Sequence, residues 1–317
     1  MQFAIIGHLD FKERLDQIPK DWIFQDYIVS PEVVFNNSKG RLIALKRTAE
    51  DLISFSKEKM REEILDAAIF SQKEFSTELI QLGGFTSSLT SGGKWLVDQK
   101  EYTGYITHGN TYTTAVAIKI TLNSLDILKK RSKKTNLAII GAYGIIGEAL
   151  SKILTAMFKN TTLIGRRQEK LKELSEKITG SFDIETELKT KDADIIITAT
   201  SHPTSLLNSK HIKKNCIVVD ISQPPNVSYE LCKQRPDIIR LDGGFVNFPF
   251  DFPIPGAPKG KIFACMAEAI MQATENEKQN HIGSIDLEHL KRTEKWAEKY
   301  DFNIGNLTNF GKLVSLS

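Results

Sequence analysis

Apolar and polar positions divide the first third of the chain into short strands followed by a long helical segment. Apolar runs predict strands at Phe3–Ile6, Tyr27–Val29, Glu32–Phe35 and Leu42–Leu45. From Ala49 to Leu82, apolar residues recur at helical spacing, and the two glycines that follow are typical of a helix end. The first third therefore reads as a mixed α/β region.

The rest of the chain alternates strongly apolar strands with helical segments. Strands are predicted at Leu137–Ile140, Thr161–Ile164, Ile195–Ala199, Cys216–Asp220 and Arg240–Leu241. Helices are predicted from Asn110 or Thr111, either of which can cap, to Lys130, and at Arg167–Ile178, Lys261–Thr274 and Ile285–Tyr300. This alternation is typical of an α/β fold with a Rossmann-type, doubly wound parallel sheet.

Three regions follow from this order of elements. Residues 1–131 are expected to form an N-terminal α/β domain for the substrate, and residues 132–258 the domain of the doubly wound sheet. Residues 259–317 are expected to be C-terminal helices that pack back on the N-terminal domain and close a cleft between the domains. The aromatic and proline-rich stretch Phe245–Pro258 predicts an ordered crossover loop rather than a strand or a helix.

A glycine-rich turn links the strand Leu137–Ile140 to a helix. Glycine lets the backbone approach a diphosphate closely, and the following helix N-terminus supplies free N–H groups and a positive dipole. The sequence therefore predicts dinucleotide binding by the turn and the first residues of the helix. The residues concerned are Gly141, Tyr143, Gly144, Ile145, Ile146 and Gly147. The alternative is a strand-turn-helix unit whose glycines serve only packing.

The residues after the second strand of this unit favour NADPH over NADH. An NAD enzyme usually places Asp or Glu here to bind the ribose 2′-hydroxyl, whereas this chain has Gly165, Arg166 and Arg167. Two guanidinium groups without a carboxylate suit a 2′-phosphate. Thr200 and Ser201 follow another strand at the same edge, so we expect them to contact the cofactor ribose or diphosphate.

Composition narrows the functional class. The 317 residues suggest two domains, and 42 basic residues against 39 acidic ones give a net charge of +3. This balance does not favour nucleic-acid or membrane-surface binding. Three cysteines without repeated spacing indicate a reducing compartment and argue against a disulfide framework or a metal site. Without a signal peptide or an apolar run of spanning length, we expect a cytoplasmic protein that does not cross a membrane.

Cys265 is the candidate nucleophile. It lies in the first turns of a predicted helix after Gly260, where the helix dipole and free N–H groups stabilise a thiolate. A reactive cysteine beside NADPH suggests reduction of an enzyme-bound thioester to an aldehyde. The alternative is a small buried core residue, which is also our interpretation of Cys216 in its apolar strand. Cys232 lies among charged neighbours and is not assigned a role.

His108 and Tyr112 are candidates for protonating an oxyanion or positioning a carbonyl. They are four residues apart and share a helix face if the helix begins early. The alternatives are a turn-capping role for His108 and an ordinary half-buried aromatic at Tyr112. His202 follows the strand Ile195–Ala199 at the edge where ligands bind. No spacing suggests a metal site, so the remaining candidates are interpreted as surface residues: His211, His281 and His289.

Several segments together resemble the long-chain acyl-ACP reductase family, whose members form fatty aldehydes with NADPH. The similar segments are IGHL at Ile6–Leu9, LGGFTS at Leu82–Ser87, HGNTYT at His108–Thr113, GAYGIIG at Gly141–Gly147, RRQEKL at Arg166–Leu171 and IFACMAEAIM at Ile262–Met271. They occur in the family's order over nearly the whole chain. The cysteine that carries the acyl group in the family matches Cys265.

This resemblance implies NADPH-dependent reduction of a long-chain acyl thioester through a Cys265 acyl-enzyme. The implied substrate carrier is acyl carrier protein or coenzyme A, and an aldehyde-consuming enzyme is a possible downstream partner. The chain departs from the family motif T-G-N-T-H-T at His108 and Tyr112, so either residue can take the role of the family histidine. Ile221–Val227 and the loop Phe248–Pro258 also differ from the family pattern.

Two other functions fit the same nucleotide-binding unit. One is an NADP-dependent dehydrogenase of a small hydroxy acid or alcohol, similar to shikimate dehydrogenase, which needs no cysteine. The other is a non-catalytic NADPH sensor. Tyr112 favours this alternative because the family has a histidine at this position. The basic run Lys129–Lys134 is interpreted as a solvated connector, and its alternative is a docking surface for an acidic carrier protein.

Overall fold

The structure, a computed structural model, describes residues 1–9, 15–16, 18–202, 204–249 and 257–314. The strands are β1 Gln2–Leu9, β2 Ile23–Phe24, β3 Tyr27–Val29, β4 Val33–Phe35, β5 Ser38–Thr48, β6 Leu79–Leu82, β7 Tyr105–Thr107, β8 Asn136–Ile140, β9 Asn160–Ile164, β10 Phe182–Glu185, β11 Ile195–Thr198, β12 Ile217–Asp220, β13 Ile239–Asp242, β14 Phe245–Asn247, β15 Lys261–Phe263, β16 Thr308–Asn309 and β17 Lys312–Leu313. The helices are α1 Ala49–Ser54, α2 Lys57–Phe75, α3 Phe85–Leu89, α4 Lys94–Val97, α5 Asn110–Leu128, α6 Ile145–Leu154, α7 Gln168–Ser175, α8 Tyr229–Gln234, α9 Ala264–Thr274 and α10 Leu287–Tyr300.

Two sheets organise these elements. The first has the order β2-β3-β5-β1-β6-β7, with β4 also paired to β5, and β1 runs parallel to both of its neighbours. The second has the order β10-β9-β8-β11-β12-β13 and is wholly parallel. This strand order reverses direction at β8, as in doubly wound sheets. The predicted Rossmann-type α/β fold class is therefore confirmed.

The helix predicted from Ala49 to Leu82 is wrong at its C-terminal end. Helix α2 stops at Phe75, where Ser76 adopts a left-handed conformation with φ of 51°. Leu79–Leu82 then forms β6, which is buried along its whole length and pairs in parallel with β1. A four-residue apolar run is too short for periodicity to separate helix from strand, and here pairing with β1 decides.

The start of the C-terminal helix also differs from the prediction. Lys261–Phe263 is a strand, β15, and it pairs antiparallel with β14. The expectation of neither strand nor helix in Phe245–Pro258 is thus wrong for residues 245–247, and residues 250–256 lie outside the described part of the chain. Helix α9 begins only at Ala264, because Phe263 keeps an extended backbone. This late start places Cys265 in the first turn.

Helices α5 and α9 fill the space between the two sheets. Helix α9 packs on β1, β5 and β6, and α5 packs on α9, α10, α6 and β12. The ammonium group of Met1 donates to the Ala273 carbonyl at 3.0 Å, so the C-terminal end of α9 lies at the start of β1. Helix α9 therefore runs antiparallel to β1, and its N-terminal end lies at the carboxyl edge of the first sheet. The expected packing of the last helices on the N-terminal region is confirmed.

A buried ion network ties the C-terminal hairpin β16-β17 to the second sheet. The Arg240 guanidinium, 1% exposed, donates to Asp220 at 2.9 Å and to Asp242 at 2.6 Å. Asp242 also accepts from the Thr308 hydroxyl and the Gly311 amide. Because buried charges are costly unless paired and hydrogen-bonded, this set holds the hairpin against β13.

Candidate functional site

Crowding requires glycine at two positions of the turn after β8. Gly141 has φ of +85°, and a Cβ there would overlap the Ala199 carbonyl. A Cβ at Gly147 would overlap the Gly141 carbonyl. The turn is closed by the Gly144 amide, which donates to Gly141 at 2.9 Å. These glycines bring the end of β8, the end of β11 and the start of α6 together.

The first turn of α6 offers amides for an anionic ligand. Gly144 is the extended residue that precedes the helix, and no side chain caps it. The amides of Ile145, Ile146 and Gly147 have no carbonyl one turn earlier in the helix to bind. Tyr143, Ile145 and Ile146 are half-buried, so the turn lies at the protein surface. A helix of ten residues with a free N-terminus and a glycine turn fits a dinucleotide diphosphate.

Both arginines after β9 are exposed. Neither Arg166 nor Arg167 forms a salt bridge within the described residues, and the Arg167 guanidinium lies 5.4 Å from the centre of the Tyr143 ring. A Cβ at Gly165 would overlap that ring, so glycine is needed for Tyr143 to lie there. The arrangement leaves two cations at the end of the second strand, where an adenosine ribose lies in Rossmann folds.

The end of β11 lies beside the glycine turn, with the Ala199 carbonyl and Thr200 next to Gly141. The Thr200 amide donates to the Ser222 hydroxyl at 3.2 Å, and Ser201 is exposed. The Thr198 hydroxyl points inward to Asp220. The structure thus brings Thr200 and Ser201 to the same edge as the glycine turn, as expected from the order of elements.

Cys265 is the second residue of α9 and is half-buried. Burial raises the pKa of the Cys265 thiol to about 12, and the Glu268 carboxylate adds to this. Hydrogen bonds from the amides of Cys265 and Met266 lower the pKa of this thiol, but by less than burial raises it. The expectation that the helix N-terminus yields a thiolate is therefore incomplete, because burial and a neighbouring carboxylate favour the neutral thiol in this state.

The loop before α5 lies directly against Cys265. Gly109 has φ of +67°, and a Cβ there would lie 2.7 Å from the Cys265 Cβ. His108, 1% exposed, accepts a hydrogen bond at Nδ1 from the Asn110 amide at 3.0 Å. The neutral ring therefore carries its proton on Nε2, which faces the Gly283 backbone without a well-aligned hydrogen bond. Burial lowers the pKa of His108 to about 4, so the ring is neutral near pH 7.

The Tyr112 hydroxyl points away from this loop. It donates to the Phe302 carbonyl beyond α10, in a buried setting that raises the pKa of Tyr112. The sequence made both His108 and Tyr112 candidates for protonating an oxyanion or positioning a carbonyl. Only His108 lies in the loop that contacts Cys265. The Tyr112 backbone, by contrast, takes part in the site through its amide.

Glu268 is a site residue that sequence reasoning missed. Its carboxylate is fully buried and accepts from the Tyr112 amide at 2.7 Å and from the Thr107 hydroxyl at 2.9 Å. It lies 3.5 Å from His289 Nε2. Burial alone would raise the pKa of Glu268, but His289 and the other partners hold it below its usual value. Its spacing of three residues from Cys265 on one helix is the signal that could have found it.

His281 and His289 are buried, so their interpretation as surface residues is wrong. Their rings stack in parallel with 3.3 Å between centroids, and His281 pairs with Glu277 at 2.9 Å. Glu277, His281 and His289 are possible metal ligands that lie within 4.8 Å of one another. Because nitrogen lone pairs of parallel rings do not converge, and Arg292 contacts Glu277 at 3.3 Å, we assign no metal to this cluster.

A chain of contacts joins the Cys265 region to the nucleotide turn. The His108 amide donates to the His281 carbonyl at 3.0 Å, and the Gly283 amide donates to the Gly92 carbonyl at 2.8 Å. A Cβ at Gly92 would come within 2.7 Å of the Ile145 side chain, at the start of α6. Cys265 and the glycine turn therefore face one interface between the two sheets, which is the candidate active site.

The basic run Lys129–Lys134 lies at the opposite edge of the second sheet. Lys130 pairs with Asp194 at 2.8 Å, and Lys133 donates to the Ala156 carbonyl at 2.6 Å. Asp194 immediately precedes β11, so the run borders the amino ends of the parallel strands. The glycine turn lies at their carboxyl ends.

Comparisons with known proteins relate the chain to oxidoreductases. A family model described as shikimate / quinate 5-dehydrogenase matches residues 124–241, the region of the second sheet. The long-chain acyl-[acyl-carrier-protein] reductase of Synechococcus elongatus is 25% identical over 303 residues, which cover 85% of this chain and 88% of that protein. These distant matches support an NAD(P)-dependent oxidoreductase.

Other matches are partial or weak. The aminotransferase PigE of a Serratia strain is 25% identical over 254 residues, 76% of this chain, and the chain spans only 30% of PigE. Among solved structures, L-tryptophan dehydrogenase from Nostoc punctiforme is 12% identical with a TM-score of 0.44, covering 94% of this chain and 80% of that one. Shikimate dehydrogenase from Aquifex aeolicus is 16% identical with a TM-score of 0.39, covering 75% and 85%. None of the described helices has the length and apolar character needed to cross a membrane.

Proposed function

We propose that this protein is an NADPH-dependent reductase that converts a long-chain acyl thioester to a fatty aldehyde. The observation that carries the proposal is the position of Cys265 in the first turn of α9, in contact with Gly109 and at the interface that the nucleotide turn also faces. The distant relationship to a long-chain acyl-ACP reductase over most of both chains supports the same chemistry.

Cys265 acts as the nucleophile in this proposal. Its sulfur attacks the acyl carbon, the bond to the carrier sulfur breaks, and the proton of Cys265 leaves with the carrier thiol. The acyl group then remains on Cys265 as a new thioester. Since burial and Glu268 favour the neutral thiol in the free protein, Cys265 loses its proton in the step in which it attacks the thioester.

His108 stabilises the oxyanion that develops on the acyl carbonyl. Its Nε2 carries the proton and forms no well-aligned hydrogen bond in the free protein, so the neutral ring is able to donate to the developing oxyanion. The Tyr112 hydroxyl is engaged by Phe302, so we assign the role to His108. The amides of the first turn of α9 supply further donors.

The glycine turn and the start of α6 hold the cofactor, which we propose to be NADPH. The α6 amides would bind its diphosphate, Thr200 and Ser201 would border its ribose, and Arg166 and Arg167 would bind a 2′-phosphate. When bound, NADPH supplies the hydride that takes the acyl group to the aldehyde level.

The carrier is acyl carrier protein or coenzyme A, which share the pantetheine arm. The basic run Lys129–Lys134 borders the amino ends of the second sheet, away from Cys265. We therefore place carrier docking at the carboxyl edge of the sheets. Charge reversal in the run is expected to leave the KM for acyl-ACP unchanged.

Consumption of NADPH with palmitoyl-CoA and palmitoyl-ACP tests the proposal, with hexadecanal measured in the same samples. Wild type should form one aldehyde per NADPH oxidised, and Cys265→Ala should form none. Cys232→Ala is the matched control because Cys232 lies on α8, away from the interface. NADPH binding without aldehyde from wild type contradicts the proposal.

The match to the shikimate / quinate dehydrogenase family favours one alternative, an NADP-dependent dehydrogenase of a small hydroxy acid. That match covers the nucleotide-binding region, residues 124–241, and not Cys265. Such an enzyme needs no thiol, so Cys265→Ala would keep its activity. Turnover of shikimate or a related hydroxy acid by both proteins would establish this alternative.

A further inference from the structure

Two glycines leave a strip of the first sheet without side chains, facing α9. A Cβ at Gly7 would have no atom within 4 Å, and a Cβ at Gly83 would meet the Ile6 carbonyl no closer than 3.2 Å. Neither glycine has a positive φ, in contrast to Gly84 and Gly109. Backbone strain therefore requires glycine at neither position. The space beside Gly7 is open, whereas a side chain at Gly83 would press on the Ile6 carbonyl.

The alternation of side chains places this strip on the α9 face. Ile5 on β1 and Leu79 on β6 belong to the same apolar core as α9, whereas Ile6 packs in the cluster on the opposite face. Since strand side chains alternate, Gly7 follows Ile5 on the α9 face, and Gly83 follows Leu79 through residue 81. The strip lies at the carboxyl edge of the sheet, where α9 begins.

A buried carboxamide stands at the inner end of the strip. Gln81 is fully buried, and neither its Oε1 nor its Nε2 has a hydrogen-bond partner in the described part of the chain. Its Oε1 lies 3.6 Å from the position of a Cβ on Gly83. Leaving a buried donor and a buried acceptor unpaired is costly, so an amide at this depth needs a water or a ligand as its partner.

Strand register connects Gln81 to the nucleophile. Gln81 pairs with Thr107 on β7, and paired residues of parallel strands point to the same face. The Thr107 hydroxyl donates to Glu268, which lies one helical turn after Cys265 on α9. Because α9 runs antiparallel to β1, Cys265 lies beyond the level of Gln81 towards the edge, across from the glycine strip.

We propose that Gly7, Gly83 and Gln81 form a subsite for the pantetheine arm of the thioester substrate. An amide carries one donor and one acceptor, which are what Gln81 leaves unpaired. In a pantetheine thioester, two methylene groups separate the sulfur from the first amide, which suits a contact close to Cys265. The glycine strip admits the methylene chain. This inference rests on the proposed function and names the part of the carrier that the site recognises.

Filling the strip tests the space that the inference requires. Gly7→Val adds a side chain where no atom lies within 4 Å, so the fold and NADPH binding should be unchanged. The kcat/KM for decanoyl-pantetheine should fall at least tenfold, and Gly7→Ala should give a smaller loss. Wild-type kcat/KM in a folded Gly7→Val protein overturns the subsite.

Gln81→Leu tests the amide contact with two thioesters. Loss of two hydrogen bonds should lower kcat/KM for decanoyl-pantetheine by about 10- to 100-fold. S-ethyl decanethioate has the same acyl group and no amide, so its kcat/KM should not fall. Equal losses for both substrates overturn the inference, because they mean a general defect or a contact with the thioester itself.

Direct binding separates failure of this inference from failure of the proposed function. Titration calorimetry with pantetheine should give heat with wild type and none with Gln81→Leu or Gly7→Val. Pantetheine binding that depends on Gln81, without reduction of any thioester, keeps the subsite and rejects the reductase. Thioester reduction by a wild type whose turnover is indifferent to both substitutions keeps the reductase and rejects the subsite.

Discussion

Replacement of Glu268 by Gln should make the Cys265 thiol more acidic while making the protein less stable. Glu268 is a buried carboxylate three residues after Cys265, and it raises the pKa of that thiol. It also accepts hydrogen bonds from the Tyr112 amide and the Thr107 hydroxyl. Gln keeps the size and one acceptor oxygen but removes the charge.

The expected changes in the pKa of Cys265 and in the free energy of unfolding can both be calculated. Side chains three apart on a helix have Cβ atoms about 5–6 Å apart, which at an effective dielectric constant near 20 gives about 3 kcal/mol, or roughly two pKa units, as the upper limit. Exchanging charge-assisted for neutral hydrogen bonds should lower the free energy of unfolding by about 1–3 kcal/mol. A thiol more acidic by two units gains about 100-fold in thiolate but loses nucleophilicity, so alkylation at fixed pH should be about tenfold faster.

The assay is the rate of iodoacetamide alkylation of the Cys265 peptide between pH 7 and 9, measured by mass spectrometry. Urea unfolding supplies the stability change. Glu275→Gln is the matched control, because Glu275 lies just past the other end of α9 and should leave the alkylation rate unchanged. Slower or unchanged alkylation in folded Glu268→Gln refutes the argument that this carboxylate sets the acidity of Cys265.

Three further predictions concern the cofactor turn and His108. Gly147→Ala would force a Cβ into the Gly141 carbonyl, so NADPH affinity should fall at least tenfold in a fluorescence titration; wild-type affinity would contradict the crowding argument. Replacing both Arg166 and Arg167 by Ala should weaken NADPH binding while leaving NADH binding unchanged, as measured by Kd, and equal effects would exclude 2′-phosphate recognition. His108 has its pKa lowered to about 4 from 6.5, so its contribution to stability is complete above pH 6.5 and is lost as pH falls towards 4, by about 3 kcal/mol. Urea unfolding of His108→Asn should show a correspondingly flatter pH dependence; an unaltered slope would mean that other groups cause it.

The nucleotide-binding half was predictable because its signals are local. The strand before the glycine turn, the turn itself and the paired arginines all lie within one stretch of chain. Their predicted positions agree with β8, α6 and the end of β9 to within a few residues. Crowding at Gly141 and Gly147 explains why the glycines occur where they do.

The first sheet and the start of α9 depend on contacts between distant segments. Leu79–Leu82 is a strand because it pairs with β1, and Lys261–Phe263 is a strand because it pairs with β14. These runs of three and four residues are too short for the spacing of apolar residues to distinguish a strand from a helix. Helical spacing alone therefore extended one predicted helix too far and began the other too early.

Burial of polar residues was the other part that the sequence did not reveal. Gln81 has the polar character of an exposed strand position, and His281 and His289 have that of surface residues. Each is buried by helices that pack from elsewhere in the chain. The spacing of Glu268 from Cys265 could have identified it as a site residue. Its hydrogen bond from Thr107 could not be predicted, because Thr107 lies far away in the sequence.

Intact mass spectrometry with palmitoyl-CoA tests the central claim most directly. We expect a palmitoyl adduct on wild type and none on Cys265→Ala, with the adduct lost and hexadecanal formed when NADPH is added. Adducts on both proteins would place the acyl group on another residue. Absence of any adduct from palmitoyl-CoA and palmitoyl-ACP, in a protein that binds NADPH, would contradict the acyl-enzyme mechanism.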